Sequence, residues 1–263
     1  MTSEIPGGAT PAQRRLAAIV ALVRNRGYVS NEDLARQCEV TVQTIRRDVN
    51  HLADQGLLAR HHGGAGLPSS VENIAYTERQ ILNRREKEAI GRRAARLIPD
   101  NASLFINIGT TTEAFAQALG GHQALQVITN NLHVAAMLAP RSDFKVVVAG
   151  GRVRSHDGGI VGPAAAEALG NYRVDIGVIG ISGIEDDGSL MDFDVEEIEC
   201  ARAIMRNARR VVLLADHTKF TRHPLGRVGP VTAVHDFVTD RVPPARLREI
   251  LERAGTRLHI AEL

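Results

Sequence analysis

The stretch Thr41-Val42-Gln43-Thr44-Ile45-Arg46-Arg47-Asp48-Val49-Asn50-His51-Leu52 decides how the rest of the chain is read. At ~100° per residue, Val42, Ile45, Val49 and Leu52 share one face of a helix running from about Thr41 to Leu52. The opposite face carries Gln43, Arg47 and Asn50, with Thr44 and Arg46 at its margins. Arg, Gln and Asn side chains can read base edges in a major groove, while Arg and Thr also hold phosphates. A polar helix face alone is equally the solvated side of a small bundle, so the flanking residues have to decide.

Upstream, Thr10-Pro11-Ala12-Gln13 starts a helix: Thr10 caps, Pro11 suits the first helical position, and Gln13 completes a Thr-x-x-Gln capping box. Leu16, Ile19, Val20 and Val23 give that helix one apolar face, and Gly27 ends it. Ser30 with Asp33 opens a short second helix through Leu34 and Ala35 to Cys38. Two helices joined by a few residues, the second dry on one side and hydrogen-bonding on the other, make a helix-turn-helix. Downstream, Gly56 closes the third helix. Residues Leu57 to Ala65 then read as a short strand and a Gly63-Gly64 turn, a wing that carries Arg60 and His61 toward the DNA backbone or minor groove. The DNA-contacting candidates are therefore Ser30, Thr41, Gln43, Thr44, Arg46, Arg47, Asn50, Arg60 and His61. His61-His62 has no Cys or carboxylate partner at ligand spacing, so no metal is expected.

The composition fits this reading. The chain has 263 residues, enough for two domains. Residues 1–98 hold 15 Lys and Arg against 10 Asp and Glu, whereas the remainder holds 17 against 20. A basic front half suits an anionic polymer. No run approaches the ~20 apolar residues of a membrane span, and Met1 to Thr10 lacks the apolar core of a signal peptide. Cys38 and Cys200 have no CxxC or Cys/His spacing and read as reduced thiols in a cytoplasmic protein. The organisation expected is a tail over 1–10, a winged helix-turn-helix over 11–66, a linker over 67–77 with a hinge at Leu67-Pro68-Ser69-Ser70, and a second domain over 78–263. That domain opens with a charged helix from about Glu78 to Ile98.

Beyond Pro99, strands alternate with helices. The strands are Ser103–Ile108, Gln126–Thr129, Lys145–Ala149, Val174–Ile181, Arg210–Ala215 and Asp236–Thr239, and the helices are Glu113–Leu119, Leu132–Leu138, Ala164–Leu169, Val195–Asn207 and Pro244–Ala254. Alternation predicts a doubly wound, mainly parallel sheet that binds ligands at the carboxyl ends of its strands. Those ends carry Gly109-Thr110-Thr111, Asn130-Asn131, Gly150-Gly151-Arg152, Ser182-Gly183 and Asp216-His217-Thr218-Lys219. A glycine, hydroxyls and a helix start favour an oxyanion. The set as a whole suits a small anionic polyol.

Thr44-Ile45-Arg46-Arg47-Asp48 followed by Arg60-x-His62-Gly63-Gly64-Ala65 resembles the signature of the DeoR family of repressors. The resemblance continues through Gly109-Thr110-Thr111, Thr129-Asn130-Asn131, Asp157-Gly158-Gly159-Ile160, Gly180-Ile181-Ser182-Gly183-Ile184 and Asp216-His217-Thr218-Lys219-Phe220. It implies that the 44–48 segment lies on the recognition helix and that the second domain is a sensor similar in fold to ribose-5-phosphate isomerase. It also implies a homo-oligomer that leaves operator DNA when a phosphorylated metabolite binds, with sn-glycerol 3-phosphate favoured over other sugar phosphates. The phosphate is expected at Gly109, Thr110 and Thr111 near Lys219, with Asn130, Arg152, Ser182, Gly183 and Asp216 around the remaining oxygens. No cofactor is expected. The competing reading is an isomerase-like enzyme using Asp216 and Lys219 with Glu113 or Glu196 as base, but shared fold does not carry activity.

Overall fold

The computed structural model describes residues 10–26, 28–61, 63–66 and 76–263, which fall into two compact units divided after Ser69. The expected tail, the helix end at Gly27, the wing residue His62 and the hinge at Leu67–Ser70 lie outside the described residues.

The first unit comprises α1 (Pro11–Arg26), β1 (Tyr28–Ser30), α2 (Asn31–Gln37), α3 (Val42–Asp54), β2 (Ala59–His61) and β3 (Gly64–Gly66). Its helix starts are set by side chains close in sequence. Thr10 N donates to Gln13 Oε1 at 2.8 Å and Gln13 N donates to Thr10 Oγ1 at 3.2 Å, the reciprocal capping box. Ser30 and Thr41 cap α2 and α3 by accepting from Asp33 N and Thr44 N. Ile19, Val23, Leu34, Ile45, Val49 and Leu52 are buried in one apolar cluster. The three strands form an antiparallel sheet in the order β1-β3-β2, turning at Gly63 with φ 82°.

The second unit begins with α4 (Tyr76–Ile81) and α5 (Arg84–Ala95). The sequence predicts one helix here; the structure breaks it at Asn83, which adopts φ 52° and ψ 37°. The break is held from outside, because Asn83 Nδ2 donates to Asp216 Oδ1 at 3.3 Å. Tyr76 and Thr77, read from sequence as linker, already belong to α4.

The sheet strands are β4 (Ser103–Ile106), β5 (Gln126–Thr129), β6 (Lys145–Val148), β9 (Val174–Gly180), β12 (Ala208–Leu214), β14 (Asp236–Thr239) and β15 (Arg257–Ile260). Numbers 7 and 8 belong to a hairpin, Arg152–Val153 with Ile160–Val161, and 10, 11 and 13 to a small antiparallel sheet of Gly183–Ile184, Ser189–Asp192 and Gly226–Pro230. The helices are α6 (Thr110–Ala118), α7 (Leu132–Leu138), α8 (Pro163–Gly170), α9 (Val195–Asn207) and α10 (Ala245–Ala254). The seven-stranded sheet is parallel throughout, in the order β15-β14-β12-β9-β4-β5-β6. Its central strands are buried on both faces: Phe105, Ile179, Val211 and Leu213 enter one cluster, while Leu104, Ile106, Val178, Val212 and Leu214 enter the other. The small sheets and β15 are additions to the expected architecture. The chain runs outward from β4 to β6, then returns to β9 on the other side of β4, so the winding reverses between β4 and β9. Such a reversal opens a crevice beyond the strand ends.

α5 packs on α6 through backbone. A Cβ on Gly91 would sit 2.6 Å from Ala114 O and 2.8 Å from Phe115 N. In an exposed helix Gly→Ala stabilises by up to ~1 kcal/mol. Here overpacking reverses the sign, and Gly91→Ala is expected to destabilise by ~1–3 kcal/mol in urea unfolding. A stabilised Gly91→Ala protein would refute the close α5–α6 approach.

Candidate DNA interface and effector crevice

In the first unit, α3 buries Ile45, Val49 and Leu52 and exposes Gln43, Arg46, Arg47 and Asn50. Arg60 on β2 donates from Nη1 to Asn50 Oδ1 at 3.5 Å, which brings the wing base to the recognition face. Ser30, Thr41 and Thr44 are committed first to caps. Ser30 Oγ donates to Asp33 Oδ2 at 2.9 Å, and the Thr41 and Thr44 hydroxyls meet at 3.0 Å. The His61 backbone pairs with Gly64, and its side chain lies outside the described residues. Sequence reasoning missed how α3 is aimed. Asp48 accepts from Arg15 Nε at 2.5 Å and from Nη2 at 3.3 Å, tying the helix to α1 and holding the Arg15 guanidinium's proton more tightly than usual. An Arg-Asp pair 33 residues apart gives no local signal.

In the second unit, the crevice starts at Asn107, directly after β4. Its Oδ1 accepts from Gly180 N at 2.9 Å and its own N donates to Val178 O at 3.2 Å, joining the diverging strands. Gly109 follows with φ 146°, a conformation suited to glycine, and no side chain caps α6. The Thr112 hydroxyl holds the turn, 2.8 Å from Asn107 O and 2.7 Å from Gly109 O. The first-turn N–H groups of Thr110 to Thr112 thus face a helix start without intrahelical acceptors. Thr110 is half-exposed and Thr111 buried. Thr110, Glu113 and Lys87 line one cleft of 470 Å³.

The turn after β12 meets the α4–α5 junction through the Asn83–Asp216 bond. Asp216 is buried and accepts from Thr218 N at 3.0 Å and from the Thr218 hydroxyl. Burial alone would raise its pKa, but the charges of Lys219 and Lys87 with the Thr218 bonds hold it below the usual range. Burial, aided by Arg222 and opposed by Asp216, pushes the Lys219 ammonium down to about 7. Burial likewise lowers Lys87 to about 8, again against Asp216. Lys87 Nζ donates to Leu82 O at 2.6 Å and to Arg79 O. Lys87 and Asn83 are site residues that sequence reasoning missed, because both arrive from the helical segment ahead of the sheet.

The other expected effector residues divide. Asn130 is fully buried; its Nδ2 donates to Ile160 O at 3.0 Å, and its Oδ1 has no partner among the described residues. Ser182 is buried and hydrogen-bonded to Asp192, which burial drives toward the protonated form. Two expectations need correction. Gly183 makes room for backbone rather than ligand: a Cβ there would lie 2.5 Å from Arg222 O and Pro224 Cδ. Arg152 is exposed and ion-paired with Glu196 on α9, whereas its neighbour Arg154 is the buried cation, bound to Asp157, Asp194 and Glu197. Among the described residues no group of three or more His, Cys, Asp and Glu side chains could hold a metal, and no helix is long and apolar enough to cross a membrane.

Both units match known families. Residues 15–71 match the "DeoR-like helix-turn-helix domain" and residues 82–241 the "DeoR C terminal sensor domain". The chain is 46% identical over 238 residues to the glycerol-3-phosphate regulon repressor of Escherichia coli (strain K12), covering 90% of this chain and 94% of that protein. It is 44% identical to the HTH-type transcriptional repressor CsqR of the same organism, covering 89% and 90%. Among solved structures, ribose 5-phosphate isomerase A from Neisseria gonorrhoeae aligns with 52% of this chain and 53% of its own at 17% identity and a TM-score of 0.38. A recognition helix presented beside a wing, a parallel sensor sheet behind it in sequence, and these matches along nearly the whole chain have one conclusion: the protein belongs to the DeoR family of helix-turn-helix transcriptional repressors.

Proposed function

We propose that this repressor acts in the cytoplasm as a homo-oligomer and leaves its operator when sn-glycerol 3-phosphate binds the second unit. The observation that carries the reading is the pair of buried lysines that share the Asp216 carboxylate. Burial lowers the pKa of Lys87 on α5 and of Lys219 after β12, each against the charge of Asp216, and Lys87 lines the same cleft as Thr110 at the uncapped start of α6. A phosphate dianion supplies the missing negative charge and accepts from the α6 N–H groups. The Asn130 Oδ1 can accept from a ligand hydroxyl, and Thr110 is the half-exposed hydroxyl donor of the cradle. Similarity to a repressor named for the glycerol-3-phosphate regulon, 46% identical over 90% of this chain, supports this ligand over other phosphorylated polyols.

The same geometry supports sensing over catalysis. Glu113 is held by Tyr76 Oη at 2.8 Å and Asn131 Nδ2 at 3.1 Å, one bond on each carboxylate oxygen. Glu196 faces Arg152 at the surface. Both carboxylates considered as a base are engaged within the protein, Glu113 by Tyr76 and Asn131 and Glu196 by Arg152.

Binding to the protein's own upstream DNA at fixed salt tests the reading, with millimolar glycerol 3-phosphate, glycerol or inorganic phosphate added. Fixed salt matters because phosphate contacts make the affinity steeply salt-dependent. Release by glycerol 3-phosphate alone is expected. Thr110→Val, which removes one donor worth ~0.5–1.5 kcal/mol, should raise the half-releasing concentration about twofold to tenfold. An unchanged concentration would remove Thr110 from the cradle, and undiminished operator binding in all three additions would discard this effector.

A further inference from the structure

The parallel sheet ends on β6, and that edge is bare. Lys145 N donates to Leu125 O and Ala149 N to Thr129 O, each at 2.9 Å. Alternation along the ladder turns the N–H and C=O groups of Val146 and Val148 away from β5, toward a side where no described strand pairs. Val147 and Val148 are 37% and 43% exposed, although both are apolar. Five of the twelve large apolar side chains exposed among the described residues fall between Leu132 and Val153, on α7, β6 and the hairpin strand that follows. α7 packs against β6, so helix and strand form one apolar margin of the sheet.

The opposite margin is built differently. β15 carries Arg257 and His259, both held by Asp236, and the Arg257 side chain stays largely exposed. Charged edge strands resist pairing with another chain, whereas an apolar edge with unpaired backbone invites it. On β6 the one charge is Lys145, at its first position.

The β6 edge is also complementary to itself. Laid antiparallel across a two-fold axis at Val147, a second β6 sets its Val148 opposite Val146 and its Val146 opposite Val148. Each of these pairs can exchange both backbone hydrogen bonds, because both residues of the pair turn N–H and C=O outward. Lys145 then lies opposite Ala149 of the second copy, so no like charges meet. A β6–β15 contact would be heterologous and would leave one bare β6 at the end of every assembly. The two-fold arrangement closes. It also suits a DNA-binding chain with a single recognition helix, since two copies present two helices to paired half-sites.

We infer that β6 is a two-fold dimerisation strand, pairing antiparallel with β6 of a second copy about Val147 and continuing the sheet across both sensor units. The inference names the interface of the homo-oligomer proposed above and rests on that reading. Its test uses the full chain with Cys38→Ser, which leaves only the buried Cys200 as a native thiol. Val147→Cys sets two thiols in a non-hydrogen-bonded pair with Cα atoms ~4.5 Å apart, within disulfide reach. Lys145→Cys sets them four residues out of register, about 14 Å apart at ~3.4 Å per residue. Mild oxidation should give a covalent dimer from Val147→Cys and none from Lys145→Cys on a non-reducing gel. Cross-linking of both to the same extent, or of neither, would overturn the pairing.

Mass in solution separates the interface from the homo-oligomer itself. Val147→Lys faces two ammonium groups across the axis and should halve the wild-type mass in analytical ultracentrifugation at micromolar concentration. Val148→Pro removes an outward N–H without touching the ladder to β5, should do the same, and decides alone if Val147→Lys does not fold. A wild type that sediments as a single chain would overturn both the homo-oligomer and the inference. A wild-type oligomer whose mass both variants keep would leave the homo-oligomer standing and remove β6 from its interface.

Discussion

The double substitution Arg46→Ala with Arg47→Ala is expected to weaken operator binding by about thirtyfold or more while leaving the unfolding midpoint of the first unit in place. Both guanidinium groups are exposed on α3, and neither has a partner among the described residues. Their removal therefore costs the fold little. On DNA, each arginine that contacts a base or phosphate contributes ~1–3 kcal/mol. Adjacent residues need not add, since both can reach the same backbone. Their roles separate by salt. A lost phosphate contact lowers the slope of log affinity against log salt by about 0.9, whereas a lost base contact leaves the slope and relaxes sequence preference. Affinity within twofold of wild type would mean that α3 does not read DNA. The neighbouring Asp48 gives the contrast, because its bond to Arg15 makes Asp48→Ala a loss of helix placement rather than of contact.

What the sequence disclosed follows the range of the interactions involved. Thr10 with Gln13, Ser30 with Asp33 and Thr41 with Thr44 are contacts three residues apart, so the helix starts can be read from short strings. The apolar runs at 104–106 and 211–214 are long enough to mark strands buried on both faces. Asn83 breaks a helix whose charged pattern runs through that point with no Gly or Pro beside it, and the bond that fixes it comes from Asp216, 133 residues away. β15 was missed because Arg257–Ile260 is half polar; it is pinned through Asp236, which accepts from Arg257 Nε at 2.9 Å and lies 2.8 Å from His259 Nε2. Arg152 and Arg154 sit two residues apart in a string that marks neither as the buried one. The polar face of α3 can be read from the sequence because its residues recur at helical spacing along one element. The candidate crevice residues that follow strands could be read from the alternation of elements, whereas Lys87 and Asn83 arrive from the helical segment ahead of the sheet.

Lys219→Ala is expected to produce the largest loss in effector response, raising the dissociation constant for glycerol 3-phosphate by about two orders of magnitude. Truncating one partner of a desolvated charge pair costs ~2–5 kcal/mol, and Lys219 is the cation that burial and Arg222 have brought down to about 7. The pH dependence carries the signature of that residue. Below about 7 the empty site holds a charged Lys219; above it the ammonium is lost, and the ligand must bring a proton back. A phosphate monoester is a dianion only above about 6. Affinity should therefore peak between about 6 and 7, then weaken as pH rises through 7 and again near 8, where Lys87 loses its charge. In Lys219→Ala the limb near 7 should vanish and the limb near 8 remain. Unfolding cannot mimic this. The unfolded chain keeps its Lys219 proton to about 10.5 while the folded chain loses it near 7, so this group makes the ligand-free fold more stable, not less, as pH rises across that window. A variant that kept the limb near 7 would place the titrating cation elsewhere and remove Lys219 from the phosphate site.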